Sequence, residues 1–359
     1  MMVPAKTKKS MKLLICAQAV DKNDPFLGFF HRWIEEFAKH CERIEVICLK
    51  EGEHALPKNV SVHSLGKSGD GKLEVGSWKK LWWRVMYVTR FWRLIWRPRH
   101  NYDAVFVHMN PEYALLGGLF WRMTGKRVGL WYVHRAVSLR LRAAVLLARV
   151  VFTASRESFR LSSSKVRIMG HGIDVEAFAC PARSASGVLR LVTVGRISKT
   201  KNTMLFLDVL QKLQERGIKA ALTIVGAPAT AVDAVYAQEL TRRAQEHSEL
   251  GVRLAGLKPH AEVLPLLCES DIFLNASSTG SLDKAVLEAM AAGVVPVTSN
   301  EAFRPMLPPE LCPEATADGF ADAIMQAIRV PPMMLREKVR SEHSLATLIP
   351  RIVADLEHS

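Results

Sequence analysis

The sequence predicts an α/β protein of two Rossmann-like, doubly wound domains facing a cleft, and three observations carry that prediction. Short β-branched runs alternate with longer amphipathic stretches along the chain, the pattern of βαβ units assembled into parallel sheets. The chain has 359 residues, too many for one ordinary core and comfortable for two, since domains run roughly 100 to 200 residues. The segment CPARSASG at 180–187 breaks the alternation with Pro, Gly and small polar residues, as an interdomain connection does.

In chain order, the apolar runs at 13–17, 44–49, 104–107, 128–132 and 166–169 read as strands of the first domain, with helices at 29–40 and 113–124 between them. After the break a second series begins. It places strands at 189–194, 222–225, 252–254, 272–274 and 294–298, and helices at 203–216 and 282–292. The expected division is therefore 1–180, 188–335 and a closing helical segment, 336–359, that packs back on the first domain. Sheets of this kind bind ligands beyond the carboxyl ends of their strands, which puts the expected site in the cleft.

A hydrophobic fraction of 49% with 23% charged residues is an ordinary globular composition and excludes disordered or low-complexity architectures. The net charge of +14 is concentrated in one half. Residues 1–180 hold 30 Lys or Arg against 15 Asp or Glu, and residues 181–359 hold 19 against 20, giving +15 and −1. A one-signed field in one half implies an acidic partner there: anionic lipid, nucleic acid or a phosphorylated substrate. Cys16, Cys41, Cys48, Cys180, Cys268 and Cys312 are scattered, without a CxxC pair or zinc-ligand spacing, and read as buried reduced thiols of a cytosolic protein. The basic opening MMVPAKTKKS and the run MKLLICAQAV imitate a leader, but DKNDP stands where a cleavage site belongs, so a first buried strand is expected. No run reaches the ~18 uncharged apolar residues of a spanning helix, and any membrane contact is expected to be peripheral.

Two segments of the second half carry chemistry. The strand LRLVTVG runs into GRISKTKN and a helix, so Gly195, Arg196 and Lys201 fall on a strand-to-helix turn. Glycine permits close backbone approach, free amides are expected at the helix start, and two cations complete an anion clamp. A basic surface loop is the bland alternative. Further on, NASSTGSLDKAVLEAMAAGVVPV places a Gly/Ser-rich loop between a strand and a helix. Its amides and hydroxyls suit sugar or phosphate oxygens, and Glu288, flanked by Leu287, Ala289 and Met290, is expected to be buried and paired.

The pair GRxxxxK and LEAMAAGVVPV, with GHGID at 170–174 before them, resembles the retaining GT-B glycosyltransferases of family 4 over nearly the whole chain. The resemblance implies that Arg196 and Lys201 neutralise a donor diphosphate and that Glu288 binds the donor ribose. It implies that His134, after the strand GLWYVH, contacts the transferred sugar near the reacting carbon. It further implies that Gly256 and Leu257 lie in the base-binding loop, and that the loop holding Asp24 and Gly28 is where acceptor and diphosphate meet, with Gly28 a close-approach position. The family often has two glutamates eight positions apart, and the earlier one is Gly280 here. The loop reads Thr279, Gly280, Ser281, Leu282, Asp283, Lys284, with Asp283 and Lys284 as candidate substitutes in an altered donor-binding loop. No DxD motif occurs, so no bridging metal and no cofactor is expected, the two cations serving electrostatically instead. Retention is implied by the resemblance alone, and a front-face mechanism with the leaving phosphate assisting the acceptor goes with it.

From 78 to 99 the chain holds five of its eight tryptophans, seven Lys or Arg and no acid. On a helix Leu81, Val85, Val88, Trp92 and Ile95 form one stripe and Lys79, Arg90, Arg93 and Arg97 another. A helix lying in the headgroup plane is expected, with Trp82, Trp83, Arg90, Trp92, Arg93, Trp96 and Arg97 at the membrane. A core-packing helix accounts for the stripe by itself, though not for the missing acids. Nucleic acid is not expected, since no recognised motif accompanies the segment. The function expected is transfer of a hexose or related sugar from a UDP- or GDP-linked donor to a lipid-linked or cell-surface glycan at the cytoplasmic membrane face. The alternative is a glycosyltransferase-like nucleotide-binding partner without turnover.

Overall fold

The structure, a computed structural model, describes residues 11–67, 77–181 and 186–358; the side chains of 77–81 lie outside the description, Lys79 and Leu81 among them. The chain divides into two compact units, 1–172 with 345–359, and 173–344.

In the first unit β1 (Lys12–Val20), α1 (Phe29–His40), β2 (Arg43–Glu51) and β3 (Val60–Ser64) precede α2 (Ser77–Trp96). Then follow β4 (Ala104–His108), α3 (Pro111–Met123), β5 (Arg127–Trp131), α4 (Leu139–Leu147), β6 (Val150–Thr153) and β7 (Val166–Ile168). The strands form one parallel sheet in the order β3-β2-β1-β4-β5-β6-β7. Because strand side chains alternate, Leu13, Ile15 and Ala17 of β1 enter the core against α1, while Leu14 and Cys16 enter the core beneath α3 and α4. Both faces are covered, which is why these strands read as unbroken apolar runs. The half-buried edge strand β3, VSVHS, lacks that signal, and β6, VVFT, is buried but only four residues long; the sequence reading singled out neither.

The second unit is built from β8 (Leu189–Val194), α5 (Leu205–Glu215), β9 (Ala220–Val225), α6 (Ala231–Glu246), β10 (Val252–Gly256), α7 (His260–Cys268), β11 (Ile272–Asn275), α8 (Lys284–Ala291) and β12 (Val295–Thr298). Two further helices, α9 (Ala317–Ala327) and α10 (Pro332–His343), complete it. Its parallel sheet runs β10-β9-β8-β11-β12. The last helix, α11 (Leu345–His358), belongs to the first unit, where Leu348, Ile352 and Leu356 join the α1 face of the core.

Two expectations are corrected. Cys180 and Cys268 are joined by a disulfide, with Cα atoms 5.3 Å apart, while Cys16, Cys41, Cys48 and Cys312 are free. The partners lie 88 residues apart, and only the return of the chain onto the end of α7 brings them together, so local spacing carried no sign of it. The expected apolar stripe of α2 also divides, since Ile95 turns inward while Val85 and Trp92 are exposed. Ile95 is fully buried with Phe91 in the core beneath α2. The solvent face instead carries Trp82, Trp83, Val85, Trp92 and Trp96 together with Arg90, Arg93 and Arg97, all exposed.

Candidate functional site

In the second sheet the strand order reverses between β8 and β11, and in a doubly wound sheet the crevice for a ligand lies beyond the carboxyl ends at that reversal. The two segments singled out in the sequence are the two that leave those strand ends: 195–201 after β8 and 276–283 after β11. Gly195 has φ 153° and Gly226, at the end of β9, has φ 148°. A Cβ on Gly226 would stand 1.8 Å from the Gly195 carbonyl oxygen, so glycine is required for the two strand ends to touch. The amide of Gly226 in turn donates to Gly256, the last residue of β10. Three adjacent strands thus end in glycine and leave a rim of bare backbone.

Arg196 is exposed beyond this rim. Lys201 lies on the strand-to-helix connection, as expected, and ends a short 3-10 turn, Lys199–Lys201. Asn202 then takes the left-handed conformation (φ 48°) and separates that turn from the helix. The expected free amides at the helix start are also occupied: Leu205, Phe206 and Leu207 donate to the carbonyls of Asn202, Thr203 and Met204. The groups left to meet an anion here are the side chains and the turn, not the start of α5. The Lys201 ammonium lies 2.6 Å from Asp283 Oδ1, with both side chains largely buried. Asp283 Oδ2 accepts from Asn275 Nδ2 at 3.0 Å, and Asn275 Oδ1 accepts from Thr298 Oγ1 at 2.9 Å. The amide of Ser278 donates to the Thr200 carbonyl at 3.0 Å. The Ser278 hydroxyl donates to the same carbonyl at 3.4 Å, so an ion pair and a carbonyl that accepts both bonds bridge the crevice. Within the turn, the Ser198 hydroxyl is buried without a hydrogen-bond partner among the described residues, an uncommon condition for a polar atom.

In the loop after β11, Ser277 and Thr279 share a hydroxyl contact of 3.0 Å, Ser281 O accepts from Asn300 Nδ2 at 2.8 Å, and Leu282 is buried. Gly280 has φ 61°, a conformation that costs other residues roughly 1 kcal/mol or more. A glutamate would be strained at that position in this loop.

Glu288 on α8 is buried, and its Oε1 lies 2.9 Å from Nε2 of His260, the first residue of α7. Lys284, one turn earlier on α8, has its ammonium 3.9 Å from the same oxygen. Burial pulls the Lys284 ammonium down to about 7, against the opposing pull of Glu288. The His260 ring meets Phe178 edge-on at 5.8 Å. Gly256 (φ 71°) and the exposed Leu257 form the short connection that leads into His260, so the candidate base loop and the candidate ribose carboxylate are joined through one histidine. Asn275, His260 and Asn300 escaped the sequence reading; a polar residue closing an apolar strand, as Asn275 closes β11, was the available signal.

In the first unit the reversal lies between β1 and β4. Gly28 stands at the start of α1 in ordinary helical conformation (φ −55°). A Cβ there would come within 2.6 Å of the Asp24 carbonyl oxygen, so the close approach that selects glycine is to the chain itself. Asp24 Oδ1 accepts from the amides of Phe26 and Leu27 and shapes the same turn. After β4, Met109 adopts φ 63°, and Asn110 N donates back to His108 O at 2.8 Å. A tight three-residue turn of this kind on a non-glycine residue is strained. His108 is buried and stacks on Phe30 at 4.1 Å. His134 follows β5 at the carboxyl edge, exposed, with Tyr132 edge-on at 5.7 Å. Partial desolvation lowers its pKa below the ordinary histidine value, keeping the ring neutral at pH 7.

Residues 189–329 match the family model described as Glycosyl transferases group 1. The matched residues lie within the second unit. Among curated proteins, the chain is 29% identical over 198 residues to the amylovoran biosynthesis glycosyltransferase AmsK of Erwinia amylovora, covering 50% of this chain and 47% of that one. It is 25% identical over 189 residues to the GDP-mannose:cellobiosyl-diphosphopolyprenol alpha-mannosyltransferase of Xanthomonas campestris, covering 51% and 48%. The chain thus matches about half the length of these relatives. Among solved structures, Anabaena Alr3699/HepE in complex with UDP and glucose aligns with a TM-score of 0.71 at 16% identity, over 98% of this chain and 100% of that one. This likeness extends the GT-B fold to the whole chain, both units included.

Proposed function

We propose that the chain is a retaining, metal-independent glycosyltransferase that moves a hexose or related sugar from a UDP- or GDP-linked donor to a lipid-linked or cell-surface glycan at the cytoplasmic face of a membrane. The observation that carries the reading is the convergence of Lys201, Asp283 and the 277–281 loop at the switch point of the group 1 domain, with Glu288 on the next helix. The printed descriptions of relatives support it: one structural neighbour was solved with UDP-glucose, and curated relatives act in amylovoran synthesis and on a diphosphopolyprenol-linked sugar.

In this reading Arg196 and Lys201 take the donor diphosphate and stabilise the charge that grows on it as the glycosidic bond breaks. Lys201 exchanges the Asp283 carboxylate for phosphate oxygens, and the Ser198 hydroxyl supplies a further donor on the same turn. Glu288, held by His260, accepts from the ribose hydroxyls, and Gly256 and Leu257 border the base. The neutral His134 accepts from, or donates to, the sugar hydroxyls, with Gly28 on the acceptor side and residues 279–284 around the sugar. The exposed tryptophans and arginines of α2 place the first unit on an anionic membrane. Gly280 favours a second reading, a nucleotide-binding partner without turnover.

A panel of UDP- and GDP-sugars offered with membrane extract tests the reading. Donor-dependent transfer is expected for the wild type and a loss of at least tenfold for Lys201→Ala, since a charge-assisted hydrogen bond contributes roughly 1.5–3 kcal/mol. Nucleotide binding without transfer from any donor would select the second reading, and unchanged activity in Lys201→Ala would remove the clamp.

A further inference from the structure

We infer that the amino edge of the first unit's sheet carries a phosphate-binding cavity whose occupant is the phosphate of an anionic lipid headgroup. It rests on the membrane contact proposed above for the source of the phosphate, and adds a site that the α2 face does not contain.

The cavity measures about 750 Å³. Its lining comes from where chain enters strands: Asp103 precedes β4, Lys126 and Arg127 lie at the start of β5, Arg149 precedes β6 and Lys165 precedes β7, while Arg122 comes from the last turn of α3. A five-residue strand spans roughly 16 Å, so this edge is well separated from the carboxyl edge where His134 lies.

Five cations line the cavity against one carboxylate, Asp103, and that carboxylate already accepts from the Lys12 amide at 3.2 Å. Lys126 is held by the Tyr102 carbonyl at 2.6 Å and Arg127 by the Glu357 carbonyl. Lys165 is held by the carbonyls of Val145, Leu146 and Ala148. Neutral carbonyls fix these heads in place without cancelling their charge. The carboxyl ends of α3 and α4 each contribute roughly half a negative charge. With Asp103 they offset about two of the five positive charges, and about three remain. Arg122 and Arg149 are exposed, and their guanidinium groups make no hydrogen bond or ion pair among the described residues. Desolvation, and then repulsion from these two arginines, lower the pKa of Lys165, as expected for an uncompensated field.

The rim argues for a lipid source. Helices that cross between parallel strands run against them, so the carboxyl ends of α2, α3 and α4 meet at this edge. Leu119 and Met123, one turn apart on α3, are 62% and 79% exposed, and Leu146 on α4 is 70% exposed. Trp96 at the end of α2 packs on Phe120 of α3, with the Arg99 guanidinium 4.8 Å above its ring. A basic hollow ringed by exposed apolar side chains matches a headgroup with its acyl chains; a free phosphate would make no use of the apolar ring.

Sedimentation of the full chain with phosphatidylglycerol-containing vesicles, with phosphatidylcholine vesicles as the neutral arm, tests the inference. Arg122→Gln/Arg149→Gln is expected to weaken binding to the anionic vesicles about tenfold or more. Lys58→Gln/Arg156→Gln, which removes the same charge from exposed positions elsewhere in the unit, should weaken it at most twofold. Equal losses in the two variants would overturn the cavity in favour of diffuse charge. Saturable calorimetric binding of inorganic pyrophosphate, lost in Arg122→Gln/Arg149→Gln while vesicle binding persists, would overturn the lipid source. Trp92→Ala/Trp96→Ala tests the α2 face separately: if it alone abolishes vesicle binding and the arginine pair has no effect, the membrane reading stands and the cavity falls. Absence of binding to any vesicle overturns both.

Discussion

At the scale of single residues, the candidate site is a set of charges already matched to one another. Lys201 is held by Asp283, and Glu288 by His260 and Lys284, so no buried charge is left to bear its full desolvation cost. Lys284 gives this a pH dependence. An unfolded lysine titrates near 10.4, whereas burial brings the folded one to about 7. Between those values the unfolded chain binds the extra proton, so this group makes the fold more stable as pH rises from about 7 to about 10. Lys284→Met should remove that rise, seen as a flatter pH profile of the urea midpoint of the second unit; identical slopes in the two proteins would show that the ammonium is not desolvated. Glu288 was legible from its apolar neighbours in sequence. Its partner His260 was not, because the pairing spans 28 positions and depends on how α7 lies against α8. Asp283 was legible as a loop acid, but its hold on Lys201 depends on two loops meeting across the switch point.

At the scale of elements, glycines just past β8 and β9 decide whether those two strand ends can touch. Gly226→Ala combines an unfavourable φ with a Cβ driven into the Gly195 carbonyl, and should destabilise the second unit by more than about 2 kcal/mol. Gly217 also has positive φ (74°), but an added Cβ there meets nothing within 4 Å, so Gly217→Ala should cost only about 1 kcal/mol. Urea denaturation followed by far-UV circular dichroism compares the two, and equal losses would show that the strand ends do not need the contact. Strands covered on both faces could be read from unbroken apolar runs, whereas the edge strand β3 and the short β6 could not. Lys201 was legible on a strand-to-helix turn, but not the 3-10 turn that it ends, nor the left-handed Asn202, a residue type that tolerates that conformation, which sets the turn apart from α5. For α2, composition exposed the wealth of tryptophan and arginine, but helical spacing alone assigned Ile95 to the wrong face.

At the scale of the whole molecule, alternation of strands and helices sufficed for the α/β class and for two parallel sheets, because short crossovers leave few other topologies. It did not foresee the Cys180–Cys268 disulfide or the strained turn at Met109, which depend on tertiary proximity. The charge asymmetry was legible from counting, yet only the fold gathers Arg122, Arg127, Arg149 and Lys165 at one sheet edge. We propose above all that the switch point of the second unit grips a nucleoside diphosphate through Lys201 and Glu288. Isothermal titration of UDP and of GDP into the wild type, Lys201→Ala and Glu288→Gln tests it most directly. Saturable binding of at least one nucleotide is predicted, weakened tenfold or more by either substitution. Binding of neither nucleotide, or equal affinity in all three proteins, would contradict the account.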